Sequence, residues 1–439
     1  QAVYRAACMR CHCIDGYNAM RPLVAGRSRH LITTMLDHIS EIKPSMPPFP
    51  GTQTEKLALA DYLATLGPAG ASAAPDPGNL KSGINDLKLP PVPGPDMLGL
   101  PAPAWLAQGL QALTLSLHWV FLAITAGCVG GLLLGRKDPD LRRRLAEMAA
   151  LSLAVAMTLG IAPLLFVQVL YGQFFYSANI LMGYVWLGLL AIMIAAFYLL
   201  HYCRRQAVLD RHLRLPALVA LGLMGMAAVI LVANATLTQT PQAWRAFSAN
   251  GGTKPYLADP AFWPRWSMAA AALLAGGGLF LAIWRRAKSQ GSVRSATAAA
   301  IVGMLAMLGV AAWIAKSLPA GVAEKLSAGP ESIFAYAVMV AVAAAIVLAV
   351  LSLRTRSLAV LSLSGLALFV GLLATAAARD TIRRAALSPG FDVAAVAVHP
   401  QWDTFVVWAG VFVAGLGLCA YMIALTVRSE RRLAAEAAA

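Results

Sequence analysis

The sequence predicts an all-α protein in two parts, a small helical domain at the N-terminus and a polytopic membrane helix bundle of about nine transmembrane helices. Composition is the first observation. Of 439 residues, 59% are hydrophobic and only 13% charged, and the mean hydropathy is +0.67, a balance that a water-soluble chain of this size does not sustain. The second is distribution: residues 1–67 have an ordinary soluble composition, whereas the apolar residues after position 104 gather into runs of roughly 20, the length that crosses a bilayer as a helix. The third is that Lys and Arg sit in short clusters between those runs, as membrane topology demands.

Taken in order, residues 1–67 close on TQTEKLALADYLATLG, where Leu57, Ala60, Leu63 and Leu66 recur at helical spacing and Gly67 ends the element. Residues 68–104 are rich in Pro, Gly and Ala and read as an extended, semi-rigid linker. The membrane domain occupies 105–428, with apolar segments at 105–134, 146–171, 180–203, 215–235, 266–284, 297–317, 332–353, 357–377 and 404–427, and residues 429–439 form a tail. Alternate connections, beginning with GRKDPDLRRR and ending with RSERR, hold 18 Lys and Arg, while the longer opposite set, which includes a loop at 172–179, holds 8. The rule that basic loops stay inside therefore puts the C-terminus in the cytoplasm. With an odd helix count the N-terminal domain is periplasmic, on the outer side of a bacterial inner membrane. Topology accounts for the net charge of +15, so the partner is the lipid bilayer and not nucleic acid. The chain starts at Gln1 without a Met or a charged-then-apolar leader, which reads as a signal peptide or anchor removed upstream.

Six cysteines are present, and Cys8, Cys11 and Cys13 fall within six residues, while Cys128, Cys203 and Cys419 are scattered among apolar segments. The strongest motif is Cys8-Met9-Arg10-Cys11-His12, a C-x-x-C-H signature for covalent attachment of one haem c. Two thiols three apart reach both vinyl groups, and the adjacent His supplies the proximal iron ligand. A zinc site is disfavoured, because a closed site needs four ligands and no second Cys or His pair follows at suitable spacing in the domain. The distal ligand is expected on a loop before the last helix, and Met46, in Lys43-Pro-Ser-Met-Pro-Pro-Phe, fits it. A thioether opposite His raises the potential, as suits electron transfer, and the prolines hold the loop rigid. His30, His38, Met20 and Met35 are the competing candidates, with surface His and core Met as their alternatives. Cys13 reads as a small buried residue or a free thiol beside the haem.

The run CHCIDGYNAMRPLV, followed by MPPFPGT and the closing helix with Tyr62 and Leu63, resembles class I cytochrome c domains over about the first 67 residues. That resemblance implies haem c, with Cys8, Cys11, His12 and Met46 as its attachment and ligand residues.

Ionisable residues are costly inside a membrane helix, so His118 in LSLHWVFLAITAG is a functional candidate. It is read as an axial ligand of a b-type haem, the alternative being a hydrogen-bonded His in the bundle interior. The stretches around Leu117-His118-Trp119, GIAPLLFVQVLYGQFFYSANI and LVANATLTQTP resemble the large subunit of cytochrome bd quinol oxidases, chiefly over 111–285. The resemblance implies nine helices, an outward N-terminus, a haem-ligating His at 118 and a paired subunit. Three departures mark the module as degenerate: Gln168 stands where that family has a carboxylate, Phe262 to Met268 offers no His, and Leu318 to Glu331 is too short for a quinol-binding loop.

Arg379, Asp380, Arg383 and Arg384 form an outer-side cluster against the positive-inside trend, which calls for salt bridges, haem propionates or an acidic partner. His201 and His212 are read as cytoplasmic interface residues, His399 as a cap or quinone contact, and the tryptophans as an aromatic belt. The function expected from these features is a haem c-containing membrane subunit of a respiratory electron-transfer complex, with quinone and haem b as candidate membrane cofactors. Its partners are other membrane redox subunits and a periplasmic electron carrier or dehydrogenase. The alternatives are a cofactor-free anchor that docks haem c to a partner dehydrogenase, and a bd-like terminal quinol oxidase. No catalytic residue is assigned.

Overall fold

A computed structural model of the chain describes residues 2–8, 12, 14, 20–39, 48–66, 99–134, 138–208, 213–289, 293–388 and 390–407, with scattered positions up to 428. Cys11, Met46, Cys13 and His212 lie outside the described residues. The chain divides into two compact units, 1–99 and 100–439. Among the described residues every regular element is helical apart from one isolated β-bridge, so the all-α expectation holds.

The small unit contains α1 (Ala2–Ala7), α2 (Met20–Val24), α3 (Arg29–Asp37) and α4 (Gln53–Thr65). Each of the two longer helices starts on a side-chain cap, as such helices do when their first N–H groups lack partners. Ser28 accepts from Leu31 at α3, and Thr52 and Glu55 form a reciprocal capping box at α4. The core gathers Tyr4, Met20, Val24, Ile32, Leu36, Leu59, Ala60, Leu63 and Leu66, so Ala60, Leu63 and Leu66 of the periodic set face inward, while Leu57 is only partly buried and Leu59 fills the core in its stead. Two polar ties fasten its ends: an Arg21 guanidinium N–H donates to the Leu66 carbonyl at 2.7 Å, and Lys56 pairs with Asp37.

The large unit holds eight helices long and apolar enough to cross a membrane among the described residues. They are α5 (Ala104–Leu134), α6 (Pro139–Leu181), α7 (Gly183–Val208), α8 (Arg214–Leu237), α10 (Phe262–Ala287), α11 (Arg294–Ser317), α13 (Ser332–Thr355) and α14 (Leu358–Leu387). Two short helices, α9 (Trp244–Ser248) and α12 (Ala320–Ser327), lie in the connections. The ninth expected segment, 404–427, is only partly described, and the described residues there from Phe405 onward are helical.

The loop expected at 172–179 is not a loop. α6 runs on through Tyr171, where the backbone departs from helical geometry (φ −138°, ψ 34°), to Leu181, and Met182 alone separates it from α7. A glycine in a helix costs only about 1 kcal/mol, and the aromatic run after Gly172 outweighs that by packing. Phe174 meets Trp244 and Phe391 edge-on, and Phe175 meets Trp186.

Small residues let the bundle close tightly, as they do between membrane helices. A Cβ added at Gly277 would stand 2.7 Å from the Ala123 carbonyl oxygen, and one at Gly303 would stand 2.3 Å from the Ala275 nitrogen. α5 is thus seated on α10, and α10 on α11. At the linker end of the bundle, the Leu100 N–H donates to the Ala397 carbonyl and the His399 N–H to the Leu100 carbonyl, both at 2.8 Å. This bridge joins the chain just ahead of α5 to the loop before the last apolar segment.

Candidate functional site

The first site grows from the end of α1. The helical hydrogen bonding continues past Ala7, with the Cys8 N–H donating to the Tyr4 carbonyl and the His12 N–H to the Cys8 carbonyl, each at 2.9 Å. One turn therefore separates Cys8 from His12. The Tyr4 hydroxyl donates to the His12 carbonyl at 2.9 Å, and the Tyr4 ring leans on Tyr62 of α4 with centroids 5.7 Å apart. The closing helix thereby fixes the turn that carries His12. His12 is 5% exposed, unusual for an imidazole and suited to one held against a prosthetic group. Cys8 packs on the edge of the same core, and burial pushes its thiol pKa up.

The other candidate ligands are spread differently. Met20 is a core residue, Met35 accepts from an Arg27 N–H, and His30 and His38 sit on the surface of α3 and its end. The partner expected at Met46 falls outside the described residues.

Residues 1–63 match the family model described as cytochrome C oxidase, cbb3-type, subunit III. The N-terminal segment is a cytochrome c domain. Such a domain implies covalently bound haem c, and the buried His12 one turn from Cys8 fits that group. The match stops before the membrane helices. No curated protein and no solved structure gives a significant match to the chain.

Within the membrane domain, His118 projects from α5 against α6. Its Nδ1 lies 2.7 Å from the Ala156 carbonyl oxygen, so this nitrogen must carry the proton, and among the described residues Nε2 has no hydrogen-bond partner. Gly160 makes room for the ring: a Cβ there would meet His118 Cε1 at 2.8 Å. An imidazole that donates one N–H to a backbone carbonyl and keeps its other nitrogen free has the arrangement of a metal-ligating His. Gln168 accepts from the Tyr176 hydroxyl at 3.0 Å across the kink. His201 Nδ1 donates to the Phe197 carbonyl of its own helix at 3.0 Å, and its ring lies 4.1 Å from the Phe197 ring.

At the linker end, the structure collects a buried polar cluster that sequence reasoning saw only in part. The Tyr171 hydroxyl donates to Asp380 Oδ1 at 3.0 Å, and Arg383 pairs with the same oxygen at 3.3 Å while its guanidinium lies 4.9 Å over the Tyr171 ring. Arg384 bridges Asp380 at 3.4 Å and Glu331 at 3.0 Å. The salt bridges expected for this run are therefore present for Arg383 and Arg384. Tyr171 and Glu331 were not identified from sequence, since their partners lie 209 and 53 residues away and no local pattern announces them. Arg265 at the head of α10 belongs to the same end and donates to Thr236 at 3.1 Å and to Gln239 at 2.7 Å. A cavity of about 200 Å³ opens beside the cluster, lined by Tyr171, Lys325, Glu331, Thr381, Arg384 and Asp392 among others.

Proposed function

We propose that this chain is the haem c-carrying membrane subunit of a respiratory electron-transfer complex, passing electrons between the membrane, through quinone or a partner subunit, and haem c on the periplasmic side. Cys8 and Cys11 would hold the porphyrin by thioether bonds, with His12 and Met46 as the iron ligands. The haem supplies one-electron chemistry, and the protein's part is to bury His12, hold its turn through Tyr4, and keep the ligand in one orientation. The observation that carries the reading is a buried His12 one turn from Cys8 in a cytochrome c domain, fused to at least eight apolar helices.

His118 is the best-supported position for a b-type haem, because Nδ1 is engaged and Nε2 is not. The reading of the membrane domain as a degenerate relative of the bd oxidase large subunit rests on the motifs quoted from the sequence. A cofactor-free anchor is the competing reading, favoured by the close fit of the His118 ring against Gly160. Purified full-length protein tests both. A haem-staining band should survive denaturing electrophoresis and vanish in the Cys8→Ser, Cys11→Ser double variant, and the pyridine haemochrome should show one haem c per chain. A b-type band that disappears in His118→Ala supports the first reading. A c-type spectrum alone, unchanged in that variant, leaves the anchor, and loss of neither band on either substitution refutes the assignment.

A further inference from the structure

The polar cluster at the linker end is not electrically complete. Arg265, Arg379 and Arg383 lie within electrostatic range of one another. The carboxylates that act on them are Asp259 and Asp380. Asp380 is already shared among Tyr171, Arg383 and Arg384. Among the described residues Arg379 makes no hydrogen bond and no ion pair, and the Nε of Arg383, a residue 3% exposed, is buried without an acceptor. Gln111 adds a second sign of spare bonding capacity at this end. It is 5% exposed and among the described residues its Oε1 has no partner; the Ala123–Gly276 and Gly127–Gly277 contacts set it level with Arg265. An unpaired guanidinium at a membrane helix end is costly unless an anion meets it.

From this cluster we infer that Arg265, Arg379 and Arg383 hold the phosphate of an anionic membrane lipid. Depth points to a headgroup: Arg379 follows directly on the apolar stretch of α14, and Arg265 lies in the first turn of α10, so both stand where lipid phosphates lie. Access points the same way, because Arg265 and Arg379 are only half-buried and Trp263, two residues before Arg265, is 52% exposed. Guanidinium forks match phosphate oxygens in pairs.

The test uses full-length protein extracted in mild detergent, washed, and normalised to haem c absorbance. Wild type should retain about one anionic phospholipid per chain by phosphorus assay and mass spectrometry. Arg379→Gln, which breaks no hydrogen bond or ion pair among the described residues, should fall to background, and Arg379→Lys should keep an intermediate amount. Lys288→Gln, at the opposite end of α10, should match wild type. Phosphatidylglycerol added to delipidated protein should raise the melting temperature of wild type but not of Arg379→Gln, with apparent affinity at least about tenfold weaker in the variant. Equal phosphorus in wild type and Arg379→Gln, loss of porphyrin in place of phospholipid, or equal stabilisation by inorganic phosphate would each overturn the inference.

Discussion

Replacing Gly303 with Ala tests how closely the membrane helices are seated. The new methyl carbon would lie 2.3 Å from the Ala275 nitrogen, 2.7 Å from the Ala275 Cα and 2.9 Å from the Ala271 carbonyl oxygen. All three are backbone atoms of α10, so no side-chain rotation relieves the clash, and α11 must retreat by about 1 Å to restore ordinary contact distances of ~3.5 Å. Overpacking of this kind costs roughly 1–3 kcal/mol, offset by the ~0.8–1 kcal/mol that Ala gains over Gly in a helix. Gly309 on the same helix is the internal control, since a Cβ there meets nothing within 4 Å. Its Ala variant collects the helix gain alone. The two variants should therefore differ by about 1–3 kcal/mol, the clash by itself, with Gly309→Ala at or above wild type. Equilibrium unfolding in mixed micelles of rising SDS content, followed by tryptophan fluorescence, measures the difference. If Gly303→Ala unfolds at the same SDS fraction as Gly309→Ala, the α10–α11 contact is looser than described and the packing argument fails.

Two further outcomes follow from the charged groups. Asp380→Asn leaves Arg383 buried without its counter-charge and should destabilise by about 3–5 kcal/mol, whereas Tyr171→Phe, which removes one hydrogen bond from a carboxylate still paired to two arginines, should cost about 1–2 kcal/mol; equal effects in the same SDS titration would contradict the pairing. At α4, the Thr52 backbone N–H and hydroxyl hold the Glu55 carboxyl below the ordinary carboxylate range. A depressed folded pKa stabilises above the unfolded value near 4.3, and that contribution disappears as pH falls through the lower folded value. Amide protection at the start of α4 should thus drop below about pH 4, a step that Glu55→Gln removes, and an unchanged pH profile in the variant would count against the capping box.

Residue chemistry and periodicity made much of this architecture legible. Leu63 and Ala60 announced the inward face of α4, and the apolar runs located eight helices to within a few residues at most ends. The exceptions were α14, which runs past the expected end at 377 to Leu387, and the 43-residue α6, where Gly172 resembled a break because the packing that overrides it comes from Trp244 and Phe391, far along the chain. At the sites, the C-x-x-C-H run needs no tertiary information, because its parts are adjacent. Tyr171, Glu331 and Arg265 were missed for the opposite reason: their partners come from other helices, and only the excess of arginine at 379–384 marked the right end of the bundle.

The bridge at Leu100 has a mechanical consequence. Two short main-chain bonds clamp Leu100 to residues 397–399 just ahead of α5, so the start of the first span and the segment leading into the final apolar stretch are yoked, and a displacement of either is passed to the other.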